Sequence, residues 1–296
     1  MRVLVTGGGG FIAAWLIKQL LEEGVSVRSL DLSAQPQIAQ SILGDDATRI
    51  DWRAGDIANA ADVEMAVEDC DLIMHLAAIL TPDCAAAPQR GCDIVLGGTL
   101  NVFEAARKRG HGHVLYMSSA GVYGPEQGHT PEPTTLYGAY KLAGEGAARA
   151  YLADHGMASA GFRPLVVYGP GRESGLTAGP SLACKAAAND SDFVIPFSGD
   201  SDFIYVDDIA ASFVAAMKHP PQGAKVYNIV ADRCATAEFA AEVTRQVPGT
   251  TISAQGPHLP IVADIDEGDL RVDYPEVPRT TIRDGIAKTI AFYRTQ

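Results

Sequence analysis

A tyrosine and a lysine stand four residues apart in the segment Tyr137-Gly-Ala-Tyr140-Lys141. In a helix this spacing puts the side chains of Tyr137 and Lys141 on one face, one turn apart. A phenol with an ordinary pKa of about 10 is a poor base at neutral pH, but an ammonium group within a few ångströms favours the phenolate. The pair could therefore exchange a proton with a substrate hydroxyl, although a packed tyrosine beside a surface lysine would give the same spacing.

A serine pair upstream strengthens the catalytic interpretation. The stretch VLYMSSAGVYG predicts a strand that ends in Ser118 and Ser119. A hydroxyl at the mouth of a strand can hydrogen-bond the substrate oxygen that Tyr137 protonates or deprotonates. Ser119, Tyr137 and Lys141 together predict transfer of a hydride and a proton at a carbinol carbon.

A glycine turn joins the first predicted strand to the first predicted helix. The segment VLVTGGGGFIAAWLIKQL has Gly8, Gly10 and Ala13 in a G-x-G-x-x-A spacing at this junction. Glycines let backbone N–H groups approach a pyrophosphate, and the helix N-terminus adds roughly half a positive charge. Asp31 closes the second strand about 18 residues after Ala13, near the offset expected for a carboxylate that binds the adenosine ribose. Since this carboxylate would repel the extra phosphate of NADP, the sequence predicts NAD as the cofactor.

The elements around these residues predict the fold. Strands rich in Val, Leu and Ile alternate with amphipathic helices up to about Pro164, which is typical of a doubly wound parallel α/β sheet, the Rossmann fold. We expect residues 1–168 to form an NAD-binding Rossmann domain that carries the catalytic residues. Residues 169–296 are richer in loops, and we expect mainly a small C-terminal substrate lobe, with part of it (about 203–230) returning to the Rossmann sheet.

The order of the motifs resembles the extended short-chain dehydrogenase/reductase family, in its NAD-dependent epimerase/dehydratase group. The segments that carry the resemblance are TGGGGFIA, HLAA, SSAGVYG, YGAYK and FRPLVVYGPG, and they cover most of the chain through about Ala210. The resemblance implies that Ser119, Tyr137 and Lys141 are the catalytic residues. It also implies the following cofactor contacts besides Tyr137 and Lys141: Gly7, Gly10, Phe11 and Ile12 at the pyrophosphate, Asp31 at the ribose, Asp56 and Ile57 at the adenine, Leu76, Ala77 and Ala78 along the groove, and Pro164 and Leu165 at the nicotinamide.

Three positions depart from the nucleotide-sugar branch of that family. Val95 stands where an asparagine usually supports the lysine, unless Asn101 substitutes for it, and Val166 stands in place of a polar residue. Ser201 stands where nucleotide-sugar enzymes usually place an arginine for the diphosphate. Because a diphosphate needs paired donors, most often arginines, we expect a member that is not a typical nucleotide-sugar enzyme.

Other residues could bind the substrate. Arg172, Arg233 or Arg271 could compensate for the missing arginine, but the sequence does not place them. The loop RESGLTAGPS offers groups suited to a small hydroxylated or carboxylated molecule, while a polar surface loop would look the same. The expected substrate-binding residues are Thr81, Ser119, Arg172, Ser174 and Thr177.

Two enzyme functions follow from this site. The favoured one is an NAD-dependent oxidoreductase that oxidises a secondary alcohol of a small polyol, sugar acid or hydroxy acid. The alternative is a sugar or nucleotide-sugar epimerase with tightly bound NAD. A dehydratase is less favoured, because Gly121 and Val122 follow Ser119 where an added acid and base would be needed. A scaffold or cofactor sensor without catalysis would have no need for the three catalytic side chains.

Composition excludes several partners. A net charge of −13 without a run of Lys and Arg argues against nucleic acid. The chain starts directly in an apolar strand, and no apolar stretch approaches the roughly 18 residues of a membrane helix, so we expect a soluble cytoplasmic enzyme without a membrane partner. No His, Cys and carboxylate combination has metal-ligand spacing. We expect a homodimer built from the helices predicted at Ile94–Arg109 and Tyr137–His155, and we interpret Asp207 and Asp208 as helix-capping carboxylates.

Overall fold

A computed structural model describes residues 1–34, 36–125 and 130–296. Its main feature is a parallel sheet in which strands of the described chain lie in the order β10-β6-β5-β4-β1-β2-β3. The strands are β1 (Arg2–Thr6), β2 (Ser26–Asp31), β3 (Asp51–Ala54), β4 (Leu72–His75), β5 (His113–Met117), β6 (Ala158–Arg163), β7 (Val166–Tyr168), β8 (Phe193–Ile195), β9 (Asp200–Tyr205), β10 (Ala224–Asn228), β11 (Asp232–Ala235) and β12 (Ile252–Ala254).

The helices alternate with the strands in the first half of the chain. They are α1 (Phe11–Glu22), α2 (Gln37–Leu43), α3 (Ala60–Ala66), α4 (Thr81–Ala86), α5 (Pro88–Cys92), α6 (Gly98–Arg109), α7 (Leu136–His155), α8 (Gly179–Ala188), α9 (Val206–Lys218), α10 (Thr236–Gln246), α11 (Leu270–Asp273) and α12 (Ile282–Arg294). The helix predicted to begin at Ile94 starts instead as a π-helical turn, Asp93–Gly97, that runs into α6.

Both faces of the large sheet are covered. Val3 and Val5 of β1 belong to one apolar core and Leu4, between them, belongs to a second core on the opposite face. Such continuous apolar strands are expected where helices pack on both sides of a parallel sheet. The prediction of a doubly wound α/β fold is therefore confirmed.

The strand order reverses at β1, which has β2 on one side and β4 on the other. In doubly wound sheets, ligands bind in the crevice beyond the carboxyl ends of the strands at such a switch point. The glycine turn follows β1 directly and Asp31 ends β2. The topology thus brings the two predicted cofactor motifs to one edge of the sheet.

The second half of the chain builds two small sheets, β11-β9-β7 and β12-β8. Strand β10 returns to the large sheet and pairs in parallel with β6, and helix α9 packs against α1. The predicted return at about 203–230 begins later than expected, because residues 203–205 belong to β9, which pairs with β7 and β11.

The capping role expected for Asp207 and Asp208 is wrong. Helix α9 begins at Val206 and has no side-chain cap. The buried carboxylate of Asp208 accepts hydrogen bonds from the N–H and the hydroxyl of Thr280, both at 2.7 Å, while Asp207 accepts one from Gln19. These acidic groups tie the C-terminal segment and α1 to the start of α9.

The described ranges contain neither a membrane-spanning helix nor a cluster of metal ligands. None of the helices there is both long and apolar enough to span a membrane. Likewise, no group of three or more His, Cys, Asp or Glu side chains in these ranges is arranged to hold a metal ion.

Candidate active site

The turn after β1 leaves no room for side chains. Gly7 has a φ of +72°, and a Cβ there would lie 2.7 Å from the Cα of Ala77. A Cβ on Gly8 would lie 2.1 Å from the hydroxyl oxygen of Ser29 on β2. Gly10, at the N-cap of α1, has no side chain to occupy the free N–H groups of the first turn. The turn therefore leaves the positive end of α1 open to an anion, as a dinucleotide pyrophosphate requires.

Asp31 lies against this turn. Its Oδ2 accepts a hydrogen bond from the N–H of Gly9 at 3.0 Å. Arg28, the nearest cation in the sequence, is engaged elsewhere: it donates to Asp51 at 2.7 Å and to the carbonyl oxygens of Ala66 and Glu68. Arg28 therefore does not neutralise the carboxylate of Asp31. A carboxylate that is not neutralised by a neighbouring cation repels the additional phosphate of NADP.

A crevice between the ends of β1 and β4, the β1–β4 crevice, collects most of the residues predicted to bind the cofactor. It is lined by Gly7, Gly10, Asp31, Asp56, Ile57, Leu76, Ala77 and Ala78. Arg90 also lines it and was not predicted. Burial would raise the pKa of Asp56, but hydrogen bonds from Ala58 N–H and from Arg90, at 2.9 and 2.5 Å, hold that pKa below its usual value. Asp56 is therefore a fixed carboxylate at the far end of the crevice.

A second cavity, the central groove, continues from the glycine turn toward the catalytic helix. Phe11, Ile12, Tyr137 and Lys141 line it together with Gly7 and Gly10. The two cavities share Gly7, Gly10, Leu76 and Ala78. A single extended molecule could thus run from Asp31 to Tyr137, which is the shape that a dinucleotide demands.

The start of α7 is fixed against the turn that follows β5. The Thr135 hydroxyl accepts the N–H of Gly138 and caps the helix. A Cβ on Gly138 would lie 1.9 Å from the carbonyl oxygen of Gly121, so only glycine permits this contact. Tyr137 is thereby held beside Ser119, whose Oγ accepts the N–H of Gly121 at 3.0 Å. The local sequence therefore brings the predicted hydroxyl and phenol together.

Lys141 lies one turn beyond Tyr137, and only 4% of its surface is exposed. Its Nζ donates to the carbonyl oxygen of Met117 at 2.6 Å and lies 5.7 Å from the centre of the Tyr137 ring. Burial lowers the pKa of Lys141 to about 8. The ammonium thus remains the main form at neutral pH, close to the phenol.

The phenol of Tyr137 titrates higher than the sequence suggested. Burial raises the pKa of Tyr137 to about 12, although a hydrogen bond with Ser119 and the charge of Arg172 lower it. In the chain alone, burial outweighs the hydrogen bond with Ser119 and the charge of Arg172, so the pKa of Tyr137 is raised rather than lowered. The phenol is consequently a proton donor at rest.

His75 is a packed residue at the end of β4. It is 1% exposed, and its two ring nitrogens contact the hydroxyls of Thr6 and Thr99 at 2.7 and 3.1 Å. Burial and then the charge of Lys141 lower the pKa of His75 to about 3. The imidazole is thus neutral and holds β1 against α6.

A third cavity, the inner pocket, lies between Tyr137 and the C-terminal lobe. Of the predicted substrate residues, Thr81, Ser119, Arg172 and Thr177 line it, whereas Ser174 is exposed and lines the central groove. Pro164 and Leu165, expected at the nicotinamide, line the inner pocket beside Ser119. The pocket wall also contains Leu259, Pro260 and Ile261, which sequence reasoning missed because no motif marks that segment.

The other two arginines that could have replaced the missing one are engaged elsewhere. Arg233 forms an ion pair with Asp264, and Arg271 pairs with Glu267. Neither lines the inner pocket, and Ser201 is buried. Asn101 does not substitute for the missing asparagine, since its amide donates to the carbonyl oxygen of Ile57 at 2.9 Å. The departures from the nucleotide-sugar branch thus remain without compensation by these residues.

Comparison with known proteins agrees with this geometry. The sequence profile of the NAD dependent epimerase/dehydratase family matches residues 3–230. The chain belongs to this family. It is accordingly an NAD-dependent enzyme of the extended short-chain dehydrogenase/reductase type, and NAD is its cofactor.

Relatives within the family differ in their reactions. A UDP-glucose 4-epimerase of Mycolicibacterium smegmatis is 29% identical over 316 aligned positions, covering 100% of this chain and 99% of its own. A 3-beta-hydroxysteroid dehydrogenase of Mycolicibacterium neoaurum is 31% identical over 187 positions, 58% of this chain and 49% of its own. The family membership alone therefore does not choose between an epimerase and a dehydrogenase.

Solved structures agree in fold. A GalE-like L-threonine dehydrogenase from Cupriavidus necator superposes with a TM-score of 0.87 at 23% identity, covering 98% of this chain and 99% of its own. A UDP-glucose 4-epimerase of Thermus thermophilus in complex with NAD gives 0.85 at 24% identity, with 99% of each chain covered. At these identities the likeness concerns the fold.

Proposed function

We propose that this enzyme is a dehydrogenase that oxidises a secondary alcohol of a small polyol, sugar acid or hydroxy acid with NAD. The lining of the inner pocket is the observation that supports the proposal. Ser119 and Tyr137 line it, aliphatic side chains make up much of the rest of its wall, and Arg172 is the one arginine of the described chain that reaches it. Such a wall suits a small molecule better than a nucleotide diphosphate, which calls for paired cationic donors.

The proposed cofactor contacts are the predicted residues that line the cavities described above. Gly7, Gly10 and Phe11 would hold the pyrophosphate at the start of α1, and Asp31 would accept the hydroxyls of the adenosine ribose. When bound, NAD supplies the hydride acceptor. The adenine would lie beside Asp56 and Ile57, and Lys141 would hold the nicotinamide ribose. The remaining expected contacts are Ile12, Leu76, Ala77, Ala78, Pro164 and Leu165.

The chain's own residues would manage the proton. The phenol of Tyr137 first gives its proton to solvent, and the charges of Lys141 and Arg172 stabilise the phenolate. Tyr137 Oη then takes the proton of the substrate hydroxyl while the carbinol carbon loses its hydride. Ser119 Oγ hydrogen-bonds the same substrate oxygen and stabilises the charge that develops on it. In the reverse direction the resting phenol of Tyr137 is already the proton donor.

An epimerase that retains NAD is the second candidate, and the full-length similarity to a UDP-glucose 4-epimerase favours it. Such an enzyme returns the hydride to the opposite face of the ketone, so the bound ketone must rotate to present its other face. This rotation requires an anchor remote from the reacting carbon. The charged side chain that lines the inner pocket, Arg172, stands near Tyr137 and so is not a remote anchor. The dehydrogenase therefore has the better support.

One experiment separates the two candidates. The purified protein is mixed with NAD and a panel of polyols, sugar acids and hydroxy acids, and NADH absorbance is followed, while NAD retained after purification is measured separately. NADH that accumulates with one compound class establishes a dehydrogenase. Protein that retains NAD, forms no NADH with any compound and interconverts UDP-glucose and UDP-galactose is instead an epimerase.

The homodimer expected from the sequence is also part of the proposal. Helices α6 and α7 pack closely enough that a Cβ on Gly144 would lie 3.5 Å from Thr99, and Leu100 of α6 is exposed. A self-complementary face on these helices would cover that leucine. Light scattering should give twice the chain mass for the native protein and a lower mass for Leu100→Asp.

A further inference from the structure

The guanidinium group of Arg172 is held rigidly where the inner pocket meets the central groove. Nη1 donates to the carbonyl oxygen of Val167 at 2.9 Å and Nη2 donates to Thr177 Oγ1 at 2.6 Å. The ring of Phe11 lies 5.9 Å from the guanidinium carbon. Since a guanidinium has five N–H donors, this anchoring leaves others for a ligand.

No acidic side chain of the described residues forms an ion pair with Arg172. Its neighbour Glu173 pairs with Lys185 at 2.9 Å, and the Nε of Arg172 is buried without a hydrogen-bond partner in the described ranges. Burial lowers the pKa of Arg172 to about 10, so the group stays charged at neutral pH. A desolvated cation without a counter-charge is costly. An anionic ligand group would remove that cost.

The position of Arg172 indicates where the anionic group of the ligand should bind. Its charge acts on the Tyr137 phenol, so the anion should stand close to the carbinol that Tyr137 serves. The wall around it contains Leu80, Leu176 and Leu259. Hydroxyl groups of a polyol would lose hydrogen bonds with water against these side chains, whereas alkyl carbons would gain from contact with them.

We infer that the substrate is a short-chain hydroxy acid, whose carboxylate pairs with Arg172 and whose alkyl group lies against these leucines. This inference rests on the proposed dehydrogenase function. The two oxygens of a carboxylate match the planar donor fork of a guanidinium. In the reaction the carbinol hydride passes to NAD and the hydroxyl proton to Tyr137, so the products are a keto acid and NADH.

The pyrophosphate of NAD is a second anion that could pair with Arg172. Arg172 also lines the central groove with Gly10 and Phe11, where the NAD pyrophosphate is expected. The experiment must therefore distinguish a substrate carboxylate from a cofactor phosphate, and it does so by comparing substrate kinetics with cofactor affinity.

The test compares acids with neutral analogues. NADH formation is measured with both enantiomers of 2-hydroxybutanoate and 3-hydroxybutanoate, with their methyl esters, and with glycerol and sorbitol. For the native enzyme we expect kcat/KM to be at least about 100-fold higher for one acid than for its ester, because the ester leaves the guanidinium of Arg172 without a counter-charge. This comparison uses only the native enzyme, so it tests the substrate class even if a variant fails to fold.

Variants then assign the effect to the guanidinium. Arg172→Met should lower kcat/KM for the acid about 100-fold more than for the ester, because both substrates lose the charge that stabilises the phenolate and only the acid loses its ion pair, while the NAD dissociation constant changes about twofold or less. Arg172→Lys should restore part of the activity with the acid. Arg49→Met, which removes an exposed arginine paired with Asp46, is the matched control and should behave as the native enzyme.

Three results would overturn the inference. An equal loss for acid and ester together with weaker NAD binding would assign Arg172 to the cofactor pyrophosphate. Oxidation of esters or polyols in preference to the acids would refute the substrate class and leave the dehydrogenase function standing. Absence of NADH with every compound would refute both.

Discussion

The carboxylate of Glu145 forms a two-point ion pair with the guanidinium of Arg163, with oxygen–nitrogen distances of 2.7 and 2.5 Å. Glu145 lies on α7 and is fully buried, and it also accepts a hydrogen bond from the Ser118 hydroxyl at 2.5 Å. Arg163 ends β6. The pair therefore joins the catalytic helix to the end of β6, and the hydrogen bond from Ser118 joins it to the residue before Ser119.

Replacing Glu145 by glutamine should lower the free energy of unfolding by about 3 kcal/mol, because it leaves a buried guanidinium without a counter-charge. Urea unfolding measures this. Glu64→Gln is the control, since Glu64 forms an exposed pair with Lys108 and its loss should cost less than about 1 kcal/mol. Similar small losses for both variants would show that the buried pair does not stabilise the fold.

The native Lys141 should lower the free energy of unfolding, although catalysis requires this side chain. Its pKa of about 8 is below the ordinary 10.5, so the buried ammonium is disfavoured in the folded state at pH values below 8, and this cost disappears as pH rises toward 10.5. Lys141→Met should therefore raise the free energy of unfolding at neutral pH by about 1–3 kcal/mol and abolish turnover. The gain should shrink at about pH 10.

The control for this prediction is Lys218→Met, which removes an exposed lysine paired with Glu23. It should give no comparable gain at neutral pH. If Lys141→Met were less stable than the native protein at neutral pH, the hydrogen bond to Met117 would outweigh the burial cost, contrary to our expectation.

His75 should make folding sensitive to acid. Its pKa is about 3 in the folded chain against an ordinary 6.5, so between these values the unfolded chain binds a proton that the folded chain does not. The stability from neutral His75 is complete above pH 6.5 and is lost as pH falls toward 3, with a slope approaching about 1.4 kcal/mol per pH unit.

His75→Gln should remove this contribution. Urea unfolding at about pH 6 and pH 5 should show a smaller loss of stability for the variant than for the native protein. His219→Gln, at an exposed histidine, should retain the native pH dependence. An unchanged slope in His75→Gln would contradict the assigned burial effect.

Asp31 should select NAD over NADP. Asp31→Ser removes the carboxylate that accepts the Gly9 N–H, so it should raise KM for NAD about 10-fold or more and lower KM for NADP. Initial rates with both cofactors measure the change. Asp45→Ser, an exposed acid in the 3-10 turn Gly44–Arg49, should leave the preference intact, and a native preference in Asp31→Ser would refute the assignment.

Local patterns predicted the parts of the site that are local in structure. The turn before Phe11 and the one-turn spacing of Tyr137 and Lys141 follow from short-range geometry. Asp207 and Asp208 were mistaken for caps because a distant partner, Thr280, satisfies Asp208. Sequence patterns do not reveal such long-range partners.

The inner pocket shows the same limit. Arg172 was a candidate along with two other arginines, and only the packing of the lobe separates it from them. Leu259 and Ile261 reach the pocket from a segment without periodicity or motif. Burial likewise decides the pKa of Tyr137, and burial depends on the whole fold.

The most direct test of the central claim counts NADH molecules formed per protein chain with an active alcohol and excess NAD, for the native enzyme and for Tyr137→Phe. We predict many NADH molecules per native chain, and at least about a 1,000-fold lower rate in Tyr137→Phe. NADH that never exceeds the amount of NAD bound at purification, or Tyr137→Phe with native activity, would contradict a dehydrogenase that works through this phenol.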